Sequence, residues 1–538
     1  MRLVTDRQPS PEPTATDQRA GVVRRRLTGE HLVAIFLGLL VLLVHDVPYL
    51  LSHSFWLDES WVAATTRFPL SQLPETTSST PIGWSALLRL VTVPRTESSR
   101  ILPLLFAGAA VVVAYWFARQ LGWRSREAAV CAGLLAGIAA LLVPGMLVQG
   151  GLNQYTADAC LSLVVLALIS RLEREWSRRR LVALSVAVWG GMLFSDGVTF
   201  AGMAAFLALC VVQLVRGDLR RLAEACVAAV GTGVLMLGVY KVFDARAVGT
   251  GLYTTGKMRL YFMPLDSGLH AMVTFLTSHF TAARGFFGLG PAWLAVPLVI
   301  AGIVTIFRLG RPATALALTV LWPVMLAVNV VRRYPFLNIR TSTFLFAITA
   351  VVAAVGLIGV CSLLRPLLKQ WTVAVVVAVA AVGAAAFAVH AAPFVRSHPF
   401  PNEDERQQVS YVAAHAAPDD VILVNTSTAF GFAYYWPVGQ PARRYDHNVA
   451  QEYVPYFPGQ PRIVIAQSGN AANVAKAVSQ AVRQAVLRSC APIWLIRTHA
   501  AVSEQAAWSA ALGRKGLAVT PVGSDGLSIV RVSKPLCR

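Results

Sequence analysis

Two carboxylates stand side by side between two tryptophans in Trp56-Leu57-Asp58-Glu59-Ser60-Trp61. Partial burial raises a carboxylate's pKa toward the range in which it accepts a proton. Asp58 and Glu59 are therefore candidates for acid–base work. The competing reading is a solvated helix start, where acids suit the positive end of the helix dipole. Flanking tryptophans suit a membrane–water boundary. Tyr155 and Asp158, in QGGLNQYTAD, are three residues apart and share one face of any helix running through them. Asp158 could equally satisfy the backbone of a neighbouring helix. Arg332, Arg333 and Arg340 crowd into VRRYPFLNIR, and Lys257 and Arg259 lie near Tyr261 and Pro264. Arginine at helix ends also serves to anchor in lipid headgroups. The sequence contains no HExxH and no nucleophile elbow.

These residues sit between long apolar runs. Of 538 residues, 56% are hydrophobic and only 14% are charged, against about 25% charged in a soluble domain. Lipid must cover most of the apolar surface. Lys and Arg number 47 against 27 Asp and Glu. The basic residues fall in short clusters between apolar runs, which is the positive-inside pattern and not the footprint of a nucleic-acid binder. A spanning helix needs roughly 20 apolar residues. That length predicts helices near 31–53, 100–118, 128–146, 156–171, 181–196, 198–215, 222–243, 291–308, 313–330, 341–364 and 371–392. Segment 269–288, with His270, His279 and Arg284, reads as interfacial or re-entrant. His45 and Asp46, ahead of Pro48, read as structural partners of the carbonyls that the proline frees.

Clusters of Arg, with Lys369 beside Arg365 in the last, follow the second, fourth, sixth, eighth and tenth helices. The N-terminus is then cytoplasmic and the C-terminus, after eleven crossings, is outside. The other face receives WLDESW, QGGLNQYTAD, the Ser195-Asp196-Gly197 turn, residues 244–290 and VRRYPFLNIR. Residues 1–30, rich in Pro, Thr, Asp and Arg, read as a disordered tail and 31–393 as the membrane domain. Over 394–538 the pattern changes. DDVILVNT, PRIVIAQ, PIWLIRT and LSIVRV read as strands with helices between them, an extracytoplasmic α/β domain with a largely parallel sheet. Its Cys490 and Cys537 could form a disulfide outside the cytoplasm. The other five cysteines lie in apolar runs, as small hydrophobes.

The ordered set of outer-face segments resembles the C-type membrane glycosyltransferases, which use sugars carried on polyprenyl phosphate and include the protein O-mannosyltransferases and aminoarabinose transferases. The resemblance rests on Asp58-Glu59 after the first helix, Ser99-Arg100-Ile101-Leu102-Pro103 opening the second, QGGLNQYTAD, and Tyr334-Pro335-Phe336 with Arg340. It covers roughly 31–392. The chain departs from the family at Thr76-Thr77-Ser78-Ser79-Thr80-Pro81, where many members have an aspartate or histidine before a double proline. A second departure is Asn153-Gln154-Tyr155, where a basic residue often precedes the tyrosine.

The resemblance implies a polytopic helical fold and an inverting transfer from a polyprenyl-phosphate sugar to an extracytoplasmic acceptor. Asp58 would be the general base, with Glu59 sharing that role or orienting the acceptor. Arg340, then Arg333 and Arg332, would meet the departing phosphate, since a guanidinium matches phosphate oxygens two-pronged. Lys257 and Arg259 are further phosphate candidates, and Tyr155 and Asp158 would line the donor pocket. A divalent metal, if used, would sit on Asp58 and Glu59. The competing readings are a polyprenyl-lipid flippase and a non-catalytic lipid-binding scaffold. A flippase would often show internal repeats, and none is visible.

Overall fold

The computed structural model describes residues 29–77, 80–148, 151–244, 256–288, 292–364, 371–398, 403–446, 452–522 and 527–531. The expected tail falls outside them except for its last two residues. Each of the eleven apolar runs carries helix. Among the described residues seven helices are long and apolar enough, by length and composition, to cross a membrane. The chain is a multi-pass membrane protein.

The first run is broken into Gly29–Leu39, Val41–Val44 and Val47–Ser52. Pro48 cannot donate a backbone hydrogen bond. The Asp46 carboxylate caps the restart by accepting Tyr49 N–H at 3.2 Å, and His45 Nδ1 bonds back to Val41 O at 3.2 Å. The break turns the chain into the loop that carries Asp58. Segment 269–288 holds the helix Gly268–Ala283, only 16 residues long. Arg340 and Asp58 touch, so an even number of crossings separates them. The eight helical runs from 101 to 330 satisfy that parity without it.

Thr343–Leu363 is the axis of the bundle, with 89% of its apolar window buried. A Cβ on Gly356 would overlap Leu298 O, and one on Gly302 would overlap Val352 O. Glycine at both positions lets Ala292–Arg308 lie backbone to backbone on the axis. Arg340 precedes the axial helix by three residues, and so its position is set by the best-packed element.

After the last membrane helix comes a five-stranded sheet of order β4-β1-β5-β7-β6. Its strands are β1 Val421–Val424, β4 Ile463–Ile465, β5 Ile493–Ile496, β6 Ala518–Pro521 and β7 Leu527–Arg531. Strands β2 Ala442–Tyr445 and β3 Tyr453–Tyr456 form a separate hairpin. The sheet is mixed and not largely parallel: β4-β1-β5 run parallel, while β7 pairs antiparallel with both β5 and β6. The last two strands are separated by only a few residues of sequence, too few for the crossover that parallel pairing needs. Cys490 is disulfide-bonded and the five cysteines of the apolar runs are free; Cys537 lies outside the described residues.

This region is joined to the first membrane loop by one hydrophobic core that includes Phe55, Phe68, Trp84, Phe430, Tyr434 and Tyr453. Within the junction Glu405 is fully buried. Its carboxyl accepts Ser60 Oγ–H at 2.7 Å and Thr498 Oγ1–H at 3.1 Å. A Cβ at position 431 would overlap it, so Gly431 makes its room. Burial pushes the Glu405 pKa up to about 8 from an ordinary 4.5. Between those values the folded junction keeps a proton that the unfolded chain has released. Its stability is therefore full at low pH and falls as pH rises through that window. Hydrogen exchange in 405–415 should accelerate from pH 6 to pH 9 beyond the intrinsic rate, and Glu405→Gln should flatten that excess. An unchanged pH dependence in the variant would remove Glu405 as the cause.

Candidate active site

Asp58 and Glu59 occupy the first turn of the helix Leu57–Thr65, as acids do at a helix's positive end. The two side chains then part. Glu59 turns inward, and its side chain is 2% exposed. Its Oε1 accepts Arg100 Nε–H at 2.8 Å and Leu152 N–H at 2.9 Å. Its Oε2 takes Arg100 Nη2 and, at 3.4 Å, the N–H of Trp56. The other Arg100 donors reach Leu50 O and His53 O, each at 2.6 Å, and Ser54 O at 3.3 Å. This pair ties the first loop to the start of Ile101–Arg119 and to the loop before Tyr155.

Asp58 turns the other way and forms an ion pair with Arg340. The Arg340 guanidinium lies 4.4 Å above the Trp56 ring, in cation–π geometry. Burial pushes the Asp58 carboxyl above its ordinary value, and the Arg340 charge pulls it part of the way back. The loop before Arg340 is held by Asn329, which is fully buried. Asn329 Nδ2 donates to Tyr261 O at 2.7 Å and Tyr334 O at 3.0 Å, while its Oδ1 accepts Met263 N–H at 3.0 Å. Asn338 Oδ1 then accepts the N–H of Arg340 at 3.0 Å. Nothing in residue type marks Asn329, because a lone Asn in an apolar run is legible only once its partners are known.

The C-terminal region supplies two groups beside Asp58 that sequence reading missed. Glu403 Oε2 accepts the N–H of Leu57 at 2.8 Å, and its Oε1 accepts His499 Nδ1–H at 2.6 Å. Burial raises the Glu403 pKa, against the pull of His499. The available signal was the acidic stretch Glu403-Asp404-Glu405 right after the last apolar run, which reads as a linker until its contacts are seen.

Tyr155 lies within electrostatic range of Arg340 and Asp58. Asp158 is fully buried one turn further on. Its Oδ1 accepts Gly197 N–H at 3.2 Å, and the Asp196 carboxyl, which takes Gln154 Nε2 at 3.0 Å, is close by. Asp196 is thus more than a turn residue. Arg332 and Arg333 are not brought to Asp58. Arg332 pairs with Asp266 at 3.3 Å, and Arg333 donates to Tyr240 OH at 2.7 Å. Arg259 and Arg332 line a cavity of about 1150 Å³ with Tyr261, His270, Phe275 and His279; Ile339, next to Arg340, lines it too. The Lys257 backbone lies in the turn Gly256–Tyr261, and its side chain is outside the described residues.

Asp58 and Glu59 do not fit a shared divalent cation. Each carboxylate faces a different guanidinium, and a cation between them would have to displace both arginines. Among the described residues no group of three or more His, Cys, Asp or Glu could hold a metal.

No protein-family model and no curated protein sequence matches the chain. Its structure, however, resembles solved ones. ArnT from Cupriavidus metallidurans in the apo state superposes with a TM-score of 0.52 at 15% identity, over 94% of this chain and 98% of that one. The Archaeoglobus fulgidus oligosaccharyltransferase in the apo form gives a TM-score of 0.51 at 12% identity, over 86% of this chain and 68% of that one. The architecture implied by the first-loop acid pair, the second-helix arginine and the late arginine loop is therefore present: this chain has the fold of the C-type membrane glycosyltransferases.

Proposed function

We propose that the chain is a membrane glycosyltransferase that moves a hexose or pentose from a polyprenyl-phosphate donor to an extracytoplasmic acceptor, a glycan, lipid or protein of the cell envelope. The observation that carries this reading is the Asp58–Arg340 pair over Trp56, beside a large, mostly apolar cavity with arginines in its wall. A polyprenyl phosphate needs an apolar trough for its chain and cations for its head. Arg259 and Arg332 suit the approach of the phosphate, and Arg340 suits its final position.

In this reading the acceptor oxygen attacks the anomeric carbon from the face opposite the phosphate. The bond from that carbon to the phosphate oxygen breaks, and its electron pair leaves with polyprenyl phosphate. Asp58 accepts the proton that the acceptor hydroxyl loses. Donor phosphate and Asp58 compete for the Arg340 guanidinium, so donor binding releases the carboxylate to act as base. Glu59 has its lone pairs taken by Arg100 and backbone N–H groups and serves as a positioning residue. Tyr155 faces the sugar side, and the buried Asp158 one turn behind it holds the Gly197 backbone. The arginine-rich helix ends support an N-terminus in the cytoplasm and a C-terminal sheet outside.

Asp58→Asn should lower transfer from a polyprenyl-phosphate sugar by roughly 10²–10⁴-fold with normal insertion. Wild-type turnover in that variant would rule Asp58 out as the base. Arg340→Ala should raise the donor KM about ten-fold or more, the worth of a charged hydrogen bond; an unchanged KM would move the phosphate site elsewhere. Glu59→Gln should act on stability first. It leaves Arg100 buried without its counter-charge, at a cost of about 3–5 kcal/mol. Unaltered thermal unfolding in detergent would contradict the positioning role. For orientation, a cysteine introduced at the exposed Asp419 should react with an impermeant maleimide from outside intact cells, and labelling only after lysis would reverse the topology.

A further inference from the structure

A second arginine-lined hollow lies at the far end of the same helices. Arg119 and Arg174 end the helices that begin at Ile101 and Tyr155, beside the active-site pairs. At 1.5 Å per residue these helices are about 30 Å long, the thickness of a hydrocarbon core. The hollow therefore opens on the opposite membrane face from Asp58 and Arg340. Its volume is about 740 Å³, and Arg119, Arg124, Arg126, Arg171, Arg174 and Arg180 line it.

Two carboxylates share the wall with these six cations. Glu30 takes Arg119 at 2.5 Å and Arg126 at 3.6 Å, and Glu175 takes Arg180 at 2.6 Å. Arg124, Arg171 and Arg174 have no carboxylate partner among the described residues. Arg171 spends only its Nε, on Gln120 Oε1 at 2.7 Å. The positive end of a further helix, Arg126–Leu142, opens here as well, because its cap Ser125 lines the hollow. Trp116 and Trp123 complete the wall, as ring systems do at headgroup depth. The positive-inside bias requires basic loops, but it does not require them to converge on a concave site with unmatched forks.

We propose that this hollow binds a phosphate group carried at headgroup level, as the head of an anionic membrane phospholipid. A phosphate diester would meet the guanidiniums of Arg124, Arg171 and Arg174 two-pronged. Trp116 and Trp123 would pack on the glycerol and upper acyl carbons. The site is independent of the transfer reaction and stands whether or not that reaction is the one proposed above.

The test uses the full chain in nanodiscs of phosphatidylcholine with added phosphatidylglycerol, with retained lipid counted by native mass spectrometry. Wild type should keep phosphatidylglycerol in preference to phosphatidylcholine. The double variant Arg124→Gln/Arg174→Gln should keep about ten-fold less or lower still, in line with losing one or more charged contacts. Arg124→Lys/Arg174→Lys preserves the charge that sets orientation, and should still lose part of the preference with the fork geometry. Equal retention by wild type and both variants would overturn the site. Complete displacement of the lipid by millimolar inorganic phosphate would overturn the lipid source and assign the hollow to a soluble phosphate.

Discussion

The buried pair between Glu59 and Arg100 is the constraint on which the site depends. Taking both charges out of water costs several kcal/mol each, and the cost is offset only when geometry and remaining hydrogen bonds are complete. Here they are. All five Arg100 N–H groups have acceptors, in Glu59 and three loop carbonyls. The carboxylate in turn holds the N–H of Trp56 and of Leu152. Successive residues in a helix point about 100° apart. Fixing Glu59 inward therefore aims Asp58 away from it, toward Arg340. Two adjacent carboxylates would repel if they shared one environment, and giving each its own guanidinium removes that conflict.

The same logic explains what the C-terminal region contributes. It does not stand apart from the membrane loop. Glu403 holds Leu57 N–H, Glu405 holds Ser60, and Tyr435 OH bridges Phe55 N–H and Glu97, all on or around the helix that carries Asp58. Arg406 adds an ion pair to Glu97 at 2.6 Å. The acids nearest the membrane act as clamps on the first turn of Leu57–Thr65. A loop held from one side only would leave Asp58 free to swing, and proton transfer needs positions fixed to fractions of an ångström.

Apolar runs made all the membrane helices legible, because lipid demands a length and a composition that few other segments have. Strands β1, β4, β5 and β7 were legible for a similar reason, as short runs of β-branched residues. The hairpin β2-β3 and strand β6 were not. β2 contains Arg443 and Arg444, and β6 is exposed along its length, so neither shows the alternation that marks a half-buried strand. Asp58 and Arg340 could be named from residue type and order, but their contact spans 282 positions and is set by the bundle. The arginines also show why spacing misleads. Positive φ at Arg332 and Leu337 turns the chain twice between Arg332 and Arg340. Three arginines that are neighbours in sequence thereby end on three different partners.

The Asp58–Arg340 contact has a chemical consequence of its own. A carboxylate in an ion pair is a weak base, since taking a proton would forfeit the attraction of its partner. For a donor bearing phosphate, Arg340 is worth more at the phosphate, whose charge grows as the glycosidic bond breaks. In the proposed reaction the guanidinium would move toward the oxygen that develops charge, and Asp58, left in a partly buried site, would gain basicity as the need for it arises. On that proposal, base and phosphate site are two states of one ion pair. With Arg340 retained on Asp58, the carboxylate stays a poor base toward any hydroxyl, water included, until a phosphate competes for the arginine. Glu59 cannot take over meanwhile, because its oxygens are filled. In the proposed reaction, the separation of the two acids by their two arginines would link catalysis to donor occupancy without any moving domain.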